Sequence, residues 1–136
     1  MGAFMFDKPP PEVLSKTLIC GATGRLGMIT AKKMSEAGHP VVALVRNPSC
    51  SQAAELREME NVEVVKGDLR DKESLKAAVH GCSNVVVAAT VRPLRFAKFS
   101  DLWKDPLDDP THPACLNYAG VKNMLEVRAR SMACLA

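Results

Sequence analysis

No apolar run in this chain approaches the roughly 18 residues that a membrane-spanning helix needs, so no membrane span is expected. A large charge of either sign is also lacking. The formal net charge is +3 over 136 residues, too small to argue for nucleic acid or an acidic membrane surface. No pair of the five cysteines, Cys20, Cys50, Cys82, Cys115 and Cys134, forms C-x-x-C. Their odd number and wide spacing read as reduced, buried thiols in a reducing compartment, the cytoplasm or an organelle stroma or matrix. The three histidines, His39, His80 and His112, have no paired spacing, so they read as turn or helix-end residues and no metal site is expected. Residues 1–16 lack periodicity, a continuous apolar core and any arginine, which argues against a signal or transit peptide; a flexible arm is expected. Phe6 stands where an N-myristoylation signal wants Ser or Thr.

What is present starts with Thr17-Leu18-Ile19-Cys20-Gly21-Ala22-Thr23-Gly24-Arg25-Leu26-Gly27. A short apolar run enters a glycine turn, and a helical pattern follows. In a strand–turn–helix that meets a pyrophosphate, each glycine has a task. Gly21 permits the tight turn, Gly24 lets backbone approach phosphate, and Gly27 lets the helix pack against the sheet. The helix start then offers unpaired N–H groups and a positive dipole end. A glycine triplet alone is weak, but the flanking strand, helix and second strand strengthen the dinucleotide reading.

Alternation continues along the chain. A helix from Arg25 to about Ala37 is predicted, with Leu26, Ile29, Met34 and Ala37 sharing one face and Arg25, Lys32 and Glu36 away from it. Gly38 ends it. Val41 to Val45 is apolar throughout, as in a strand buried on both faces. Pro48-Ser49 opens a second helix, Ser49 and Gln52 having capping-box spacing, with Ala53, Leu56 and Met59 toward the sheet. Val62 to Lys66 is a third strand. Asp71 is an N-cap for a third helix with Leu75, Ala78 and Val79 inward, and Gly81 ends it. Asn84 to Ala89 is a fourth strand. Residues 90–110 show no period and read as a long loop, either facing a substrate or simply a solvated connector. Thr111 caps a last helix reaching about Arg130, with Leu116, Ala119, Met124 and Val127 inward. The class is α/β: a parallel Rossmann-type sheet of order 3-2-1-4 within one domain, 17–136, whose second half is incomplete.

About 20 residues past the glycines, dinucleotide folds meet the adenosine ribose, where an acid favours NAD. Here the second strand ends in Val45-Arg46-Asn47 with no acid nearby. A guanidinium suits a 2′-phosphate, so Arg46 argues for NADP(H), and Arg25 could add a contact. The alternative for both is a solvent-facing charge.

Together these residues resemble the NmrA-like, atypical branch of the extended short-chain dehydrogenase/reductase family. The matching segments are Gly-Ala-Thr-Gly-Arg-Leu-Gly, Ala43-Leu44-Val45-Arg46-Asn47-Pro48, Gly67-Asp68-Leu69, Gly81-Cys82-Ser83-Asn84-Val85-Val86-Val87 and Asn117-Tyr118-Ala119-Gly120-Val121-Lys122-Asn123. The resemblance implies cofactor contacts at Gly21, Thr23, Gly24, Arg25, Leu26, Gly27 and Arg46. It sets Asp68 and the Leu69 backbone against the adenine, and Ala88, Ala89 and Thr90 beside the cofactor. Tyr118 and Lys122 form Y-x-x-x-K, the spacing of the family's catalytic pair. That pair, however, belongs to the helix after a fifth strand, and this helix follows the fourth, so no catalytic residue is assigned. Without a fifth strand the fourth is an apolar edge, which implies a covering protein partner or a missing C-terminal half. The functional expectation is an NADP(H)-binding domain without complete catalytic machinery in this chain. The alternatives are a non-catalytic NADP(H) sensor and a structural or assembly subunit.

Overall fold

The computed structural model describes residues 16–89 and 115–133. Residues 1–15 of the expected arm, the 90–110 segment, Thr111, His112 and Cys134 lie outside the described residues, as does the Leu116 side chain.

Four strands, β1 (Lys16–Cys20), β2 (Val41–Val45), β3 (Val62–Lys66) and β4 (Cys82–Val87), form one parallel sheet of order β3-β2-β1-β4. Among the described residues four helices accompany them: α1 (Arg25–Glu36), α2 (Ser51–Glu58), α3 (Lys72–Val79) and α4 (Val121–Ala133), the last entered through a wide π-type turn, Cys115–Gly120. Class and strand order are those expected.

Strand alternation divides the apolar residues into two cores, because successive side chains point to opposite faces. Leu18, Cys20, Val42 and Leu44 face one way, packing with Leu69, Leu75, Ala78 and Val79 of the β3–α3 segment and Met124 and Val127 of α4. Ile19, Val41, Ala43 and Val45 face the other way, with Ala31 of α1 and Ala53 and Leu56 of α2. All of β2 is buried, as an apolar strand covered on both faces requires. Asp71 caps α3 as expected, its side chain accepting from the Glu73 N–H. Arg128 of α4 donates to the Cys82 and Ser83 carbonyls and so ties that helix to the start of β4.

Several expectations are corrected. β1 begins at Lys16 rather than Thr17. β4 lies two residues earlier than Asn84–Ala89, so Ala88 and Ala89 emerge past its end, the Ala88 N–H donating to the Cys20 carbonyl at 2.9 Å. Ser49 does not cap α2. Cys50 is the N-cap, and the Ser49 N–H donates to Asn47 Oδ1 at 3.0 Å, a local turn that competes with the capping box. The largest correction concerns α1. Its buried residues are Gly27 and Ala31, whereas Leu26 and Ile29 are 65% and 54% exposed and Ala37 is also exposed. Close approach at Gly27 sets the rotation of the helix, so the 27-31-34 row faces the sheet.

Burial pushes the Cys20 thiol up to about 12, from an ordinary value of 9.0, and raises that of Cys82. Above about pH 9 the unfolded chain ionises Cys20 while the fold holds it neutral. Stability carried by this thiol is therefore complete below pH 9 and falls as pH rises toward about 12. Of the three described thiols, half-buried Cys50 should react first with a thiol reagent at pH 8, and Cys20 and Cys82 only on unfolding. Peptide mapping of the labelled protein checks the order.

Candidate functional site

The carboxyl ends of all four strands meet the start of α1 around an open cavity of about 750 Å³. That is the size range of small-molecule sites, at the point where the strand order reverses. Gly21 and Leu44 line it, and the glycine turn and α1 contribute Thr23, Gly24, Arg25, Leu26 and Ile29. Arg46 and Gly67-Asp68-Leu69 line the β2–β3 side, and Val87, Ala88 and Ala89 the β4 side.

Local geometry explains the glycine turn. Gly21 has φ +79°, and a Cβ there would stand 2.6 Å from the Ala89 backbone. Gly24 is the N-cap of α1 with no side-chain hydrogen bond, and the first turn holds no acid. The positive end of α1 thus opens on the cavity with its first N–H groups unsatisfied within the helix. Gly27 does not line the cavity. It lies beneath, where a Cβ would come 2.1 Å from the Gly21 carbonyl oxygen.

Across the cavity, Asp68 is tightly held. Its N–H donates to Ser74 Oγ at 3.1 Å. Its carboxylate accepts from the Arg70 N–H at 3.0 Å, from Arg70 Nε at 3.1 and 3.2 Å, and from Arg70 Nη2 at 2.6 Å. The Arg70 side-chain hydrogen bond holds the Asp68 carboxyl below the ordinary carboxylate range. Partial burial opposes this, and the Arg46 charge assists it. The Leu69 carbonyl accepts from Asn123 Nδ2 of α4 at 3.0 Å, so the turn after β3 is pinned from a distant helix.

Of the candidate residues, Gly21, Thr23, Gly24, Arg25, Leu26, Arg46, Asp68, Leu69, Ala88 and Ala89 come together around this cavity. Gly27 supports it from below, and Thr90 lies outside the described residues. Tyr118 is 63% exposed, Lys122 is exposed, and neither lines the cavity. Sequence reasoning missed Ile29, Leu44, Gly67 and Val87 in the lining and Arg70 and Asn123 in support. Nothing in a local pattern marks an arginine in a turn as a carboxylate clamp. Among the described residues no group of His, Cys, Asp and Glu could hold a metal, and no helix is long and apolar enough to cross a membrane.

The model of the NmrA-like family matches residues 14–101. This chain belongs to the NmrA-like family. The family match covers all four strands of the sheet and the whole described cavity lining. A probable pinoresinol-lariciresinol reductase 3 of Arabidopsis thaliana is 40% identical over 74 residues, 54% of this chain and 24% of that protein. An anthocyanidin reductase of the same plant is 30% identical over 115 residues, 82% of this chain and 31% of that protein. The crystal structure of the Bordetella bronchiseptica enzyme WbmH in complex with NAD+ superposes with a TM-score of 0.61 at 22% identity. The match covers 86% of this chain and 36% of that one, a likeness of fold. This NmrA-like chain therefore spans about a quarter to a third of the length of these proteins.

Proposed function

We propose that this NmrA-like chain is the dinucleotide-binding domain of a reductase-like protein and that its cofactor is NADP(H). One observation carries the reading: a single cavity collects the glycine turn, the uncapped start of α1 and Arg46. The pyrophosphate would rest on the α1 N-terminus, where Gly24 presents backbone without a Cβ. The Arg46 guanidinium would take the 2′-phosphate, with Arg25 as a second cation on the same rim. Asp68 and Leu69 would meet the adenine, and Ala88 and Ala89 would flank the cofactor from β4. Reductase names among the relatives and the NAD+ in the WbmH complex support a nicotinamide dinucleotide. Arg46 is what argues for the additional phosphate. The bound nicotinamide would supply hydride chemistry; the chain's own residues bind and orient.

The proposal includes a cover for the outer edge of β4, from a protein partner or a C-terminal half. Its support is that β4 pairs only with β1 among the described residues and that Val87 is exposed. A second reading, an NADP(H) sensor or assembly subunit without turnover, has one observation in its favour. The Y-x-x-x-K pair, Tyr118 and Lys122, stands outside the cavity lining.

The test is calorimetry and thermal shift of this chain with NADPH, NADH and neither. NADPH should bind more tightly, adding about 2.7 kcal/mol of stability at a hundredfold excess over its Kd. Equal shifts for the two cofactors would sink the NADP(H) assignment. No shift with either would sink dinucleotide binding.

A further inference from the structure

We propose that Arg70 is a positioning residue that sets cofactor specificity: it closes the Asp68 carboxylate into an ion pair, so that the one acid of the cavity lining does not oppose a 2′-phosphate. The inference rests on the NADP(H) reading of the cavity and adds to it a residue outside the lining that makes the preference possible.

The charged residues among the described cavity lining are Arg25, Arg46 and Asp68. Asp68 is the single acid there. Left bare, it would act against the ligand in two ways. It would repel a phosphate monoester, which carries a charge of about −1.5 to −2 at pH 7. It would also draw the Arg46 guanidinium to itself and away from the ligand, since the Arg46 charge already bears on its carboxyl.

Arg70 prevents both. Its backbone N–H and Nε donate to Asp68 Oδ1 at 3.0 and 3.1 Å, and Nε and Nη2 donate to Oδ2 at 3.2 and 2.6 Å. A carboxylate has about four acceptor sites, so these contacts occupy them. Arg70 itself stays out of the lining, and its side chain is the more exposed of the pair, 39% against 24%. The cavity therefore meets a neutral, saturated pair instead of an anion, and Arg46 keeps its charge for the ligand.

The backbone of the turn has other supports. The Asp68 N–H donates to Ser74 Oγ at 3.1 Å, the Asp71 N–H to the Asp68 carbonyl at 3.0 Å, and Asn123 Nδ2 to the Leu69 carbonyl at 3.0 Å. Loss of the Arg70 side chain thus changes the charge of the lining while the turn stays held.

The test is calorimetry of the full chain with NADPH and NADH. It compares the wild type, Arg70→Ala, Arg70→Gln and the double variant Arg70→Ala/Asp68→Asn, with circular dichroism to show that each is folded. The two cofactors differ only in the 2′-phosphate, so the ratio of their Kd values isolates it. Arg70→Ala and Arg70→Gln should each cut the preference for NADPH about tenfold, the scale of one unit charge acting across a partly solvated site. In the double variant the bare acid is gone, and the preference should return to within about twofold of the wild type. A ratio unmoved by Arg70→Ala and Arg70→Gln would mean that Arg70 serves only the turn, which overturns the proposal. A ratio that falls and is not restored by Asp68→Asn would mean that Arg70 acts on the phosphate itself, which overturns it as well. Either result leaves the cofactor reading standing. A wild type with no preference for NADPH, or with no affinity for either cofactor, overturns the NADP(H) reading and this inference together.

Discussion

Gly27→Ala should be the most destabilising single-methyl change in the glycine turn, costing about 3 kcal/mol or more, the upper range for overpacking. The new Cβ would stand 2.1 Å from the Gly21 carbonyl oxygen and 2.8 Å from Ala22 Cα and the Gly21 carbonyl carbon. All three are backbone atoms, so no side chain can rotate away. Relief requires α1 to lift from the sheet, which opens the core around Ala31 and pulls the helix N-terminus off the cavity. The loss is a large share of the roughly 5–15 kcal/mol available to a domain. It should lower Tm by roughly 10 °C or more for a domain of this size. Gly81→Ala is the internal control. Gly81, unlike Gly27, has positive φ, +77°, and a Cβ there meets nothing within 4 Å. Only the backbone preference is lost, about 1 kcal/mol. Thermal melts followed by circular dichroism separate the two. Equal losses would mean that the turn does not pack as described.

Arg46→Asp should weaken NADPH binding about a hundredfold and leave NADH binding equal or better. One charge-assisted contact to phosphate accounts for roughly tenfold or more. The carboxylate then repels the same dianion, while it can accept from a ribose 2′-hydroxyl in the manner of NAD-selective folds. Asp68 limits the gain with NADH. It already feels the Arg46 charge, so reversing that charge sets two carboxylates on one rim. Titration of both cofactors against wild type and variant checks the outcome. A parallel loss of the two cofactors would assign Arg46 to the fold rather than to the phosphate.

The family's position in this chain bears on how these results transfer. The chain spans about a quarter to a third of the related proteins' length, and cofactor selectivity is the property these variants read on it.

Much of the framework was legible because its cause is local. Val41 to Val45 reads as a doubly covered strand, since five consecutive apolar residues have no exposed face to offer. Asp71 reads as a cap, because its side chain needs only the Glu73 N–H two residues on. The glycine spacing set the turn, and the alternation of strands and helices set the parallel order. These determinations need nothing beyond a few neighbours along the chain. The rest needed the packed molecule. Leu26 and Ile29 look like the inner face of α1, but contact at Gly27 rotates the helix and turns them toward the cavity. Arg70 looks like a surface charge, and Asn123 like one more polar position on a helix. Their roles arise only where β3, α3 and α4 converge on the Asp68–Leu69 turn. Periodicity specifies which side of an element is apolar; how far each element rotates is decided by backbone contacts between segments distant in sequence, and the cavity inherits its shape from those contacts.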